Sequence, residues 1–545
     1  MESMFAPSSL SPRARRSLLR RQHAVHADSD FTRLLDSVLG SPFLTTHDLP
    51  DLDVVDGSFQ AVPLSLAVTR PSSPEMVNQH FARPRGLIPR LWDALRRLKH
   101  KSSTYIDDGQ PLDGEEGELI DDEACFIDVD SFTTAVDIVA RLPPELAIHL
   151  LSFLDLDSVI ACRAVSRTWR IYAQDNAIWR DLFYRRTEWG LDLSRARFSA
   201  ATTRRVSYIS SISPELAPLS LDWWLLYKSR TQLESHWLQG KAKMTKISGH
   251  SDSVYCLEFD SKRIITGSRD RTVKVWSLKT GKQLASFKRH TGSVLCLKFD
   301  KDWDIDDPFA PGFMVTGSSD CSIIVWNLFA NGRKAEVSAI LGAHTGGVLD
   351  LRIDHRHIVS CSKDTLIRVW DRNTLDLLAT FEGHQGPVNA VGLQGNKVVS
   401  ASGDGKMMMW DITTGECLKT FEGHDRGLAC IEFKDDLIVS GSNDCKIKVW
   451  SASRGECIRT LTGHDLLVRA LFFDPMTGRL VSASYDKSVK VWDLNTGRLI
   501  TEFKNSHVSH IFDVKFDVRR IVSTSHDQKI VVLDFSEGLD TAMFV

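Results

Sequence analysis

Seven histidines punctuate the C-terminal part of the chain: His250, His290, His344, His384, His424, His464 and His507. Each is followed by a Ser/Thr-x-Ser/Gly-x-Asp string ending at Asp270, Asp320, Asp364, Asp404, Asp444, Asp486 or Asp527. Serine, histidine and aspartate together can form a nucleophilic triad. Seven copies of one triad would be redundant, so catalysis is the poorer reading. A histidine in a loop and an aspartate in a tight turn, joined through a strand hydroxyl, is a way of satisfying buried polar groups. These residues are therefore assigned to a structural network. The last copy departs from the others in carrying Leu533 where they carry tryptophan.

The elements that position these residues follow from their spacing. Successive histidines stand 40, 54, 40, 40, 40 and 43 residues apart. Between them run segments such as KIKVW (Lys446–Trp450) and SVKVW (Ser488–Trp492), whose period of two fits strands packed on one face. A repeat of about 40–45 residues with Gly-His and Trp-Asp punctuation indicates one four-stranded propeller blade per copy. Seven copies predict a seven-bladed ring over 243–545. The last repeat stops after its third strand, and an orphan strand, Lys243–Ile247, precedes the first histidine. That strand is expected to complete the last blade and remove its exposed edge.

Once a ring is inferred, the non-repeated residues become informative. The residue before each structural aspartate (Arg269, Ser319, Lys363, Gly403, Asn443, Tyr485, His526) is expected on one face. The positions five after each histidine (Tyr255, Leu295, Leu349, Asn389, Ala429, Arg469, Phe512) join them there, with Arg426 in a neighbouring loop. Three arginines, a lysine and two tyrosines thus converge on one rim. Clustered guanidinium groups are what bidentate recognition of phosphate needs.

With Lys+Arg at 67 and Asp+Glu at 70, the net charge of -3 gives no support for nucleic-acid binding. The 10 cysteines contain no CxxC pair, which points to a reduced protein of the cytoplasm or nucleus without a disulfide framework or zinc site. No apolar run reaches the roughly 18 residues that span a bilayer, so no membrane role is expected. Neither metal nor cofactor is implied. Residues 1–137 read as mostly disordered, with Ser-Pro pairs and an Arg- and Ser-rich start compatible with a targeting signal. Within them, 86–101 reads as a basic amphipathic helix for a protein partner, which leaves open a homodimer formed through it. An acidic linker follows.

Residues 138–186 change character. Pro143 and Pro144 open a helix in the manner favoured for a first turn, and Leu146, Leu150, Leu151 and Leu154 form an apolar stripe. Asp157 is expected to cap a second helix, and Ser166 a third carrying Trp169. A unit this small buries little of its own surface and needs a partner. Its string, LPPELAIHLLSFLDLDSVIACRAVSRTWR, resembles an F-box, the module that docks substrate receptors onto the Skp-family adaptor of cullin ubiquitin ligases. The resemblance implies that Leu142, Pro143, Leu146, Leu150, Leu151, Leu154 and Trp169 serve adaptor binding. Residues 187–242 form a helical linker, with Asp222 as N-cap and Gly240 beyond the end.

From about residue 138 onwards the chain resembles the β-TrCP branch of F-box/WD-repeat receptors, with the fungal sulfur-controller branch as a close alternative. HDRGLACIEF, HDLLVRALFF, GSRDRTVKVW and SASYDKSVKVW carry the pattern. The resemblance implies a phosphorylated degron held by Tyr255, Arg269, Ser293, Ser319, Asn389, Arg426, Gly427, Arg469 and Tyr485. Gly405 and His510 stand where that branch has arginine. The expectation is a multidomain chain, with a small all-α F-box and an all-β seven-bladed propeller. It is a non-catalytic receptor that brings phosphorylated proteins to an SCF-type ligase core for ubiquitination and degradation. The alternative is a scaffold without ubiquitin transfer.

Overall fold

The computed structural model describes residues 137–193, 221–304 and 309–545. The expected disordered region 1–137, with its 86–101 helix, lies outside them except for Asp137. Helix α1 (Ile138–Arg141), capped by Asp137, falls in a unit covering 64–142, and the other described residues lie in a second unit.

Four helices follow in that second unit: α2 (Pro144–Ser152), α3 (Leu156–Val165), α4 (Arg167–Ala173) and α5 (Asn176–Arg185). Their boundaries are set by short polar side chains that satisfy otherwise orphaned amides. The α3 cap is Asp155, which accepts from the Ser158 amide at 2.9 Å, and not Asp157, which lies in the first turn. Ser166 caps α4 as expected, accepting from Trp169 N at 3.3 Å. Asp175 caps α5 and so divides the end of the unit into one more helix than the periodicity suggested. The Arg185 guanidinium donates to the last α2 carbonyl, Ser152 O, and to Leu154 O just beyond it at 2.6 Å. Ile178, Trp179, Leu182 and Phe183 bury one face of α5.

The propeller contains seven four-stranded antiparallel sheets. Its first blade is typical. Strand β1 (Lys243–Ser248) precedes it, and it is built from β2 (Val254–Phe259), β3 (Arg263–Ser268), β4 (Thr272–Ser277) and β5 (Gln283–Lys288). Alternation in β4 buries Val273 and Val275, and a register shift after Val275 buries Trp276 as well. Hydrophobic cores form between blades and not within them. One joins Met407, Met409 and Phe421 to Ile431, Phe433 and Trp450 of the next blade. At roughly 1.5–3 kcal/mol per fully buried large side chain, the ring is stabilised by neighbours. Strand β1 closes it by pairing with Lys529–Asp534, from Lys243 opposite Asp534 to Ser248 opposite Lys529. Ile247 and Trp276 then share a core with Val522 and Val532 from the other end of the chain.

The long interval of 54 residues comes mostly from an insertion between the first two strands of the second blade, Val294–Phe299 and Gly312–Ser318, and for the rest from its longer third and fourth strands. Its Trp303 covers the buried Arg263, 3.7 Å from guanidinium carbon to ring centre, while Asp260 and Asp304 take the charge.

Helix α6 (Trp223–Gln239) joins the two parts. Asp222 caps it, accepting from Leu225 N at 3.0 Å, and Gly240 ends it with φ +67°. Trp237 stacks on Phe535 at 3.9 Å and donates to Val518 O at 2.9 Å, which fixes the C-terminal half of α6 to the last blade. At the other end Trp224 and Tyr227 pack on Trp179, and Trp223 on Phe183. Phe544 returns to stack on Phe183, and Asp192 N donates to Met543 O at 2.8 Å. The linker therefore spaces the two parts and also packs against the propeller.

Candidate functional site

The repeated polar residues form the expected network. In all seven blades the histidine Nδ1 lies 2.7–3.1 Å from the aspartate. Nε2 lies 2.7–2.9 Å from the strand hydroxyl. In six blades an indole N–H donates to that same hydroxyl at 2.8–3.2 Å. The seventh, with Leu533 in that place, lacks the indole donor. Thr266, Thr316, Ser360, Ser400, Ser440 and Ser482 are fully buried, so no substrate can reach these oxygens. Burial holds the imidazoles of His290, His344 and His424 below their ordinary pKa. Burial alone would raise the aspartates, but hydrogen bonds from the histidine and nearby donors outweigh it. Asp364 and Asp527 are held at about 2.

This network builds the rim. The aspartate closes the turn between the second and third strands, and the residue after it is left-handed in every blade. Arg271, Cys321, Thr365, Cys445, Lys487 and Gln528 have φ of 64–69°, and Gly405 has 88°. The residue before the aspartate donates its amide to the carbonyl of the loop leading into the first strand. Examples are Arg269 to Ser253, Ser319 to Ser293, Asn443 to Gly427 and Tyr485 to Leu467, at 2.9–3.0 Å. These bonds hold the expected rim positions in register.

Tyr255, Leu295, Leu349, Asn389, Ala429, Arg469 and Phe512 all line the mouth of the central channel. Asn389 donates to Leu428 O at 2.6 Å, and Arg469 to Ala429 O at 3.3 Å. Ser293 and Ser319 meet through Ser293 N and Ser319 Oγ, 2.8 Å apart. Gly427 is required by packing, because a Cβ there would stand 2.6 Å from Gly403 O. Arg426 and Arg269 are exposed. Tyr485 stacks flat on His510, 4.5 Å between centres, with Phe512 edge-on at 5.9 Å.

Two features were missed by the sequence reading. Asp252, two residues after His250, sits 3.7 Å from the Arg269 guanidinium and partly offsets it. Below the rim the channel is filled by an ion network in which Glu432 pairs with Arg352 and Lys515, each at 3.1 Å. Burial would raise the Glu432 carboxyl, yet those two cations hold it at about 2. The inward-facing charges at period two were the available signal.

On the helical unit, Leu146, Leu150 and Phe153 are 52%, 51% and 70% exposed and form an apolar patch beside Pro143 and Leu154. Leu151 and Trp169 are corrections to the expected adaptor-facing set. At 3% and 7% exposure they point into the core of the unit. The Leu142 amide bonds to Val139 O and ends α1, in the other unit. Phe153 was not anticipated.

Fold and surfaces define a repeat propeller carrying a small helical unit. Comparison with known families agrees with this architecture. Residues 139–185 match the F-box-like family. The stretches 335–371, 375–411, 415–451 and 455–493 match the WD domain, G-beta repeat, and 250–306 match the TEP-1 C-terminal beta-propeller. The chain thus combines an F-box-like segment with WD repeats. Similar relatives include the probable E3 ubiquitin ligase complex SCF subunit sconB of Arthroderma benhamiae, 32% identical over 163 residues, covering 27% of this chain and 24% of that protein. An F-box protein of Saccharomyces cerevisiae is 31% identical over 157 residues, with 27% and 24% covered. The F-box/WD repeat-containing protein 7 of Drosophila melanogaster is 30% identical over 160 residues, with 29% and 11% covered. The matches therefore span about a quarter or less of these relatives' length.

Proposed function

We propose that this chain is the substrate-recognition subunit of an SCF-type cullin ubiquitin ligase. The apolar patch of α2 docks a Skp-family adaptor, and the propeller rim binds a phosphorylated acidic motif of the protein to be ubiquitinated. The observation that carries this reading is the pairing of two unlike surfaces on one packed unit, an exposed Leu146–Leu150–Phe153 patch and a rim bearing Arg269, Arg426 and Arg469. The relatives named as ligase subunits support it. The contribution to chemistry is proximity: cargo lysines are held near the ubiquitin-loaded enzyme. The packed α6 joint favours a fixed distance between the two. The free cysteines of the described residues support action in the cytoplasm or nucleus.

The test is mass spectrometry of proteins captured by the wild type and by an Arg426→Ala/Arg469→Ala variant. Phosphoproteins lost in the variant, with adaptor and cullin retained in both, are the expected result. Capture of the same cargo by both proteins would refute the rim assignment, and absence of cullin from both would favour a scaffold.

A further inference from the structure

The face opposite the rim, formed by the turns between first and second strands, holds a cavity of about 380 Å³. That is within the range of pockets for small organic ligands. Its floor is aromatic: Phe472 and Phe516 meet edge-to-face at 5.4 Å, and Phe259 stands beside them. Phe472 is only half-buried.

Three ammonium groups surround the Phe472 ring. Lys434 Nζ is 3.7 Å from its centre, Lys515 Nζ 4.8 Å and Lys301 Nζ 6.0 Å. Two have carboxylate partners, Lys515 with Glu432 at 3.1 Å and Lys301 with Glu258 at 3.4 Å. Lys434 instead donates to a carbonyl, Phe473 O, at 2.5 Å. No carboxylate of the described residues lies within ion-pairing distance of it. Burial pushes its amine down to about 8, because Glu432 only partly offsets the loss of water and Lys515 repels it. A desolvated cation without a counter-ion, set beside an aromatic wall, is an incomplete arrangement.

The side-chain acids of the described residues lining the cavity do not complete it. Asp260 is engaged by the Lys262 and Arg263 amides and the Arg263 guanidinium. Asp302 accepts from Ser261, Asp474 from Met476 and Thr477, and Asp517 from the Arg519 and Arg520 amides. Asp260, Asp474 and Asp517 are turned onto their own loops, and Asp302 onto the Ser261 loop of the neighbouring blade. Arg479 is likewise occupied by Glu234.

We infer that this cavity is a binding site for a small planar organic anion, whose ring lies against Phe472 and whose carboxylate or phosphate pairs with Lys434. The site is independent of the rim: its residues come from the opposite turns of the blades, and it stands whether or not the rim reads phosphate.

The experiment is ligand-observed saturation-transfer NMR on the full chain with 2-naphthoate, naphthyl phosphate and the neutral 2-naphthamide. Both anions are expected to bind, their relative strength telling carboxylate from phosphate, while the amide binds at least tenfold more weakly. Lys434→Met, which keeps the chain length of the side chain, and Phe472→Leu should each reduce anion binding about tenfold with unchanged melting temperature. Lys434→Met should leave phosphopeptide binding at the rim intact. Equal binding of amide and anion, no binding by either anion, or binding unaffected by both substitutions would overturn the inference.

Discussion

The α2 patch and the propeller rim are both exposed, but they are built on opposite principles. The patch is a helix face: Leu146, Leu150 and Phe153 lie uncovered while Ala147, Ile148 and Leu151 on the same helix fill the core. In the proposed function its binding energy would come from apolar area, which is insensitive to salt. The rim is a ring of turns that each strand pair repeats, and in the proposed function its binding energy would lie in a few cations that the repeat does not specify. One surface is defined by what the helix leaves outside. The other is defined by departures from a period.

The largest expected effect is on the patch. Leu150→Glu or Phe153→Glu would place a charge in an apolar contact and remove about 3 kcal/mol or more, so the adaptor should be lost from pull-downs while phosphopeptide binding survives. Adaptor capture by both variants would break the division of labour. Next come the rim cations. Arg426→Ala or Arg469→Ala should each weaken phosphopeptide binding by about 2 kcal/mol, as loss of a charge-assisted pair does. Raising salt should weaken the exposed Arg426 contact and leave adaptor affinity in place, measurable by fluorescence anisotropy.

A smaller gain is expected at Gly405. A Cβ there would meet nothing nearer than Arg426 O at 3.8 Å, so the site is open. Its φ of +88° costs a side chain about 1–2 kcal/mol of stability. Gly405→Arg should then tighten phosphopeptide binding several-fold while lowering the melting temperature slightly. Unchanged affinity would mean that this edge of the rim does not face the ligand.

The smallest effect separates scaffold from site by pH. Unfolded histidines take up protons near pH 6.5, whereas burial holds His290, His344 and His424 lower in the folded ring. The folded state therefore binds fewer protons, and stability present above about pH 6.5 is lost as pH falls through it. Calorimetry should show a lower melting temperature at pH 5.5 than at 7.5. The network aspartates Asp364 and Asp527, held at about 2, continue to stabilise until pH falls below the ordinary carboxylate value of about 3.9.

The ring was legible because its determinants repeat: the seven histidines, the hydroxyl and aspartate that answer them, and the orphan strand that closes the last blade. The caps of α6 were legible because Asp222 and Gly240 act locally. Leu151 and Trp169 were not, since a stripe of leucines on a helix does not say which half its neighbours will cover. Asp252 against Arg269 escaped notice because it is set by a loop conformation and not by a period. The Lys434–Phe472 cavity was out of reach for a similar reason. Its walls come from five blades, and no single stretch of sequence contains it.

The most direct test of the central claim is binding of the wild-type chain to an array of serine peptides in phosphorylated and unphosphorylated form, compared with the Arg426→Ala/Arg469→Ala variant. The account predicts that bound peptides carry phosphoserine, that phosphatase treatment abolishes the signal, and that the variant loses it. Binding that persists without phosphate, or equally in the variant, would contradict it.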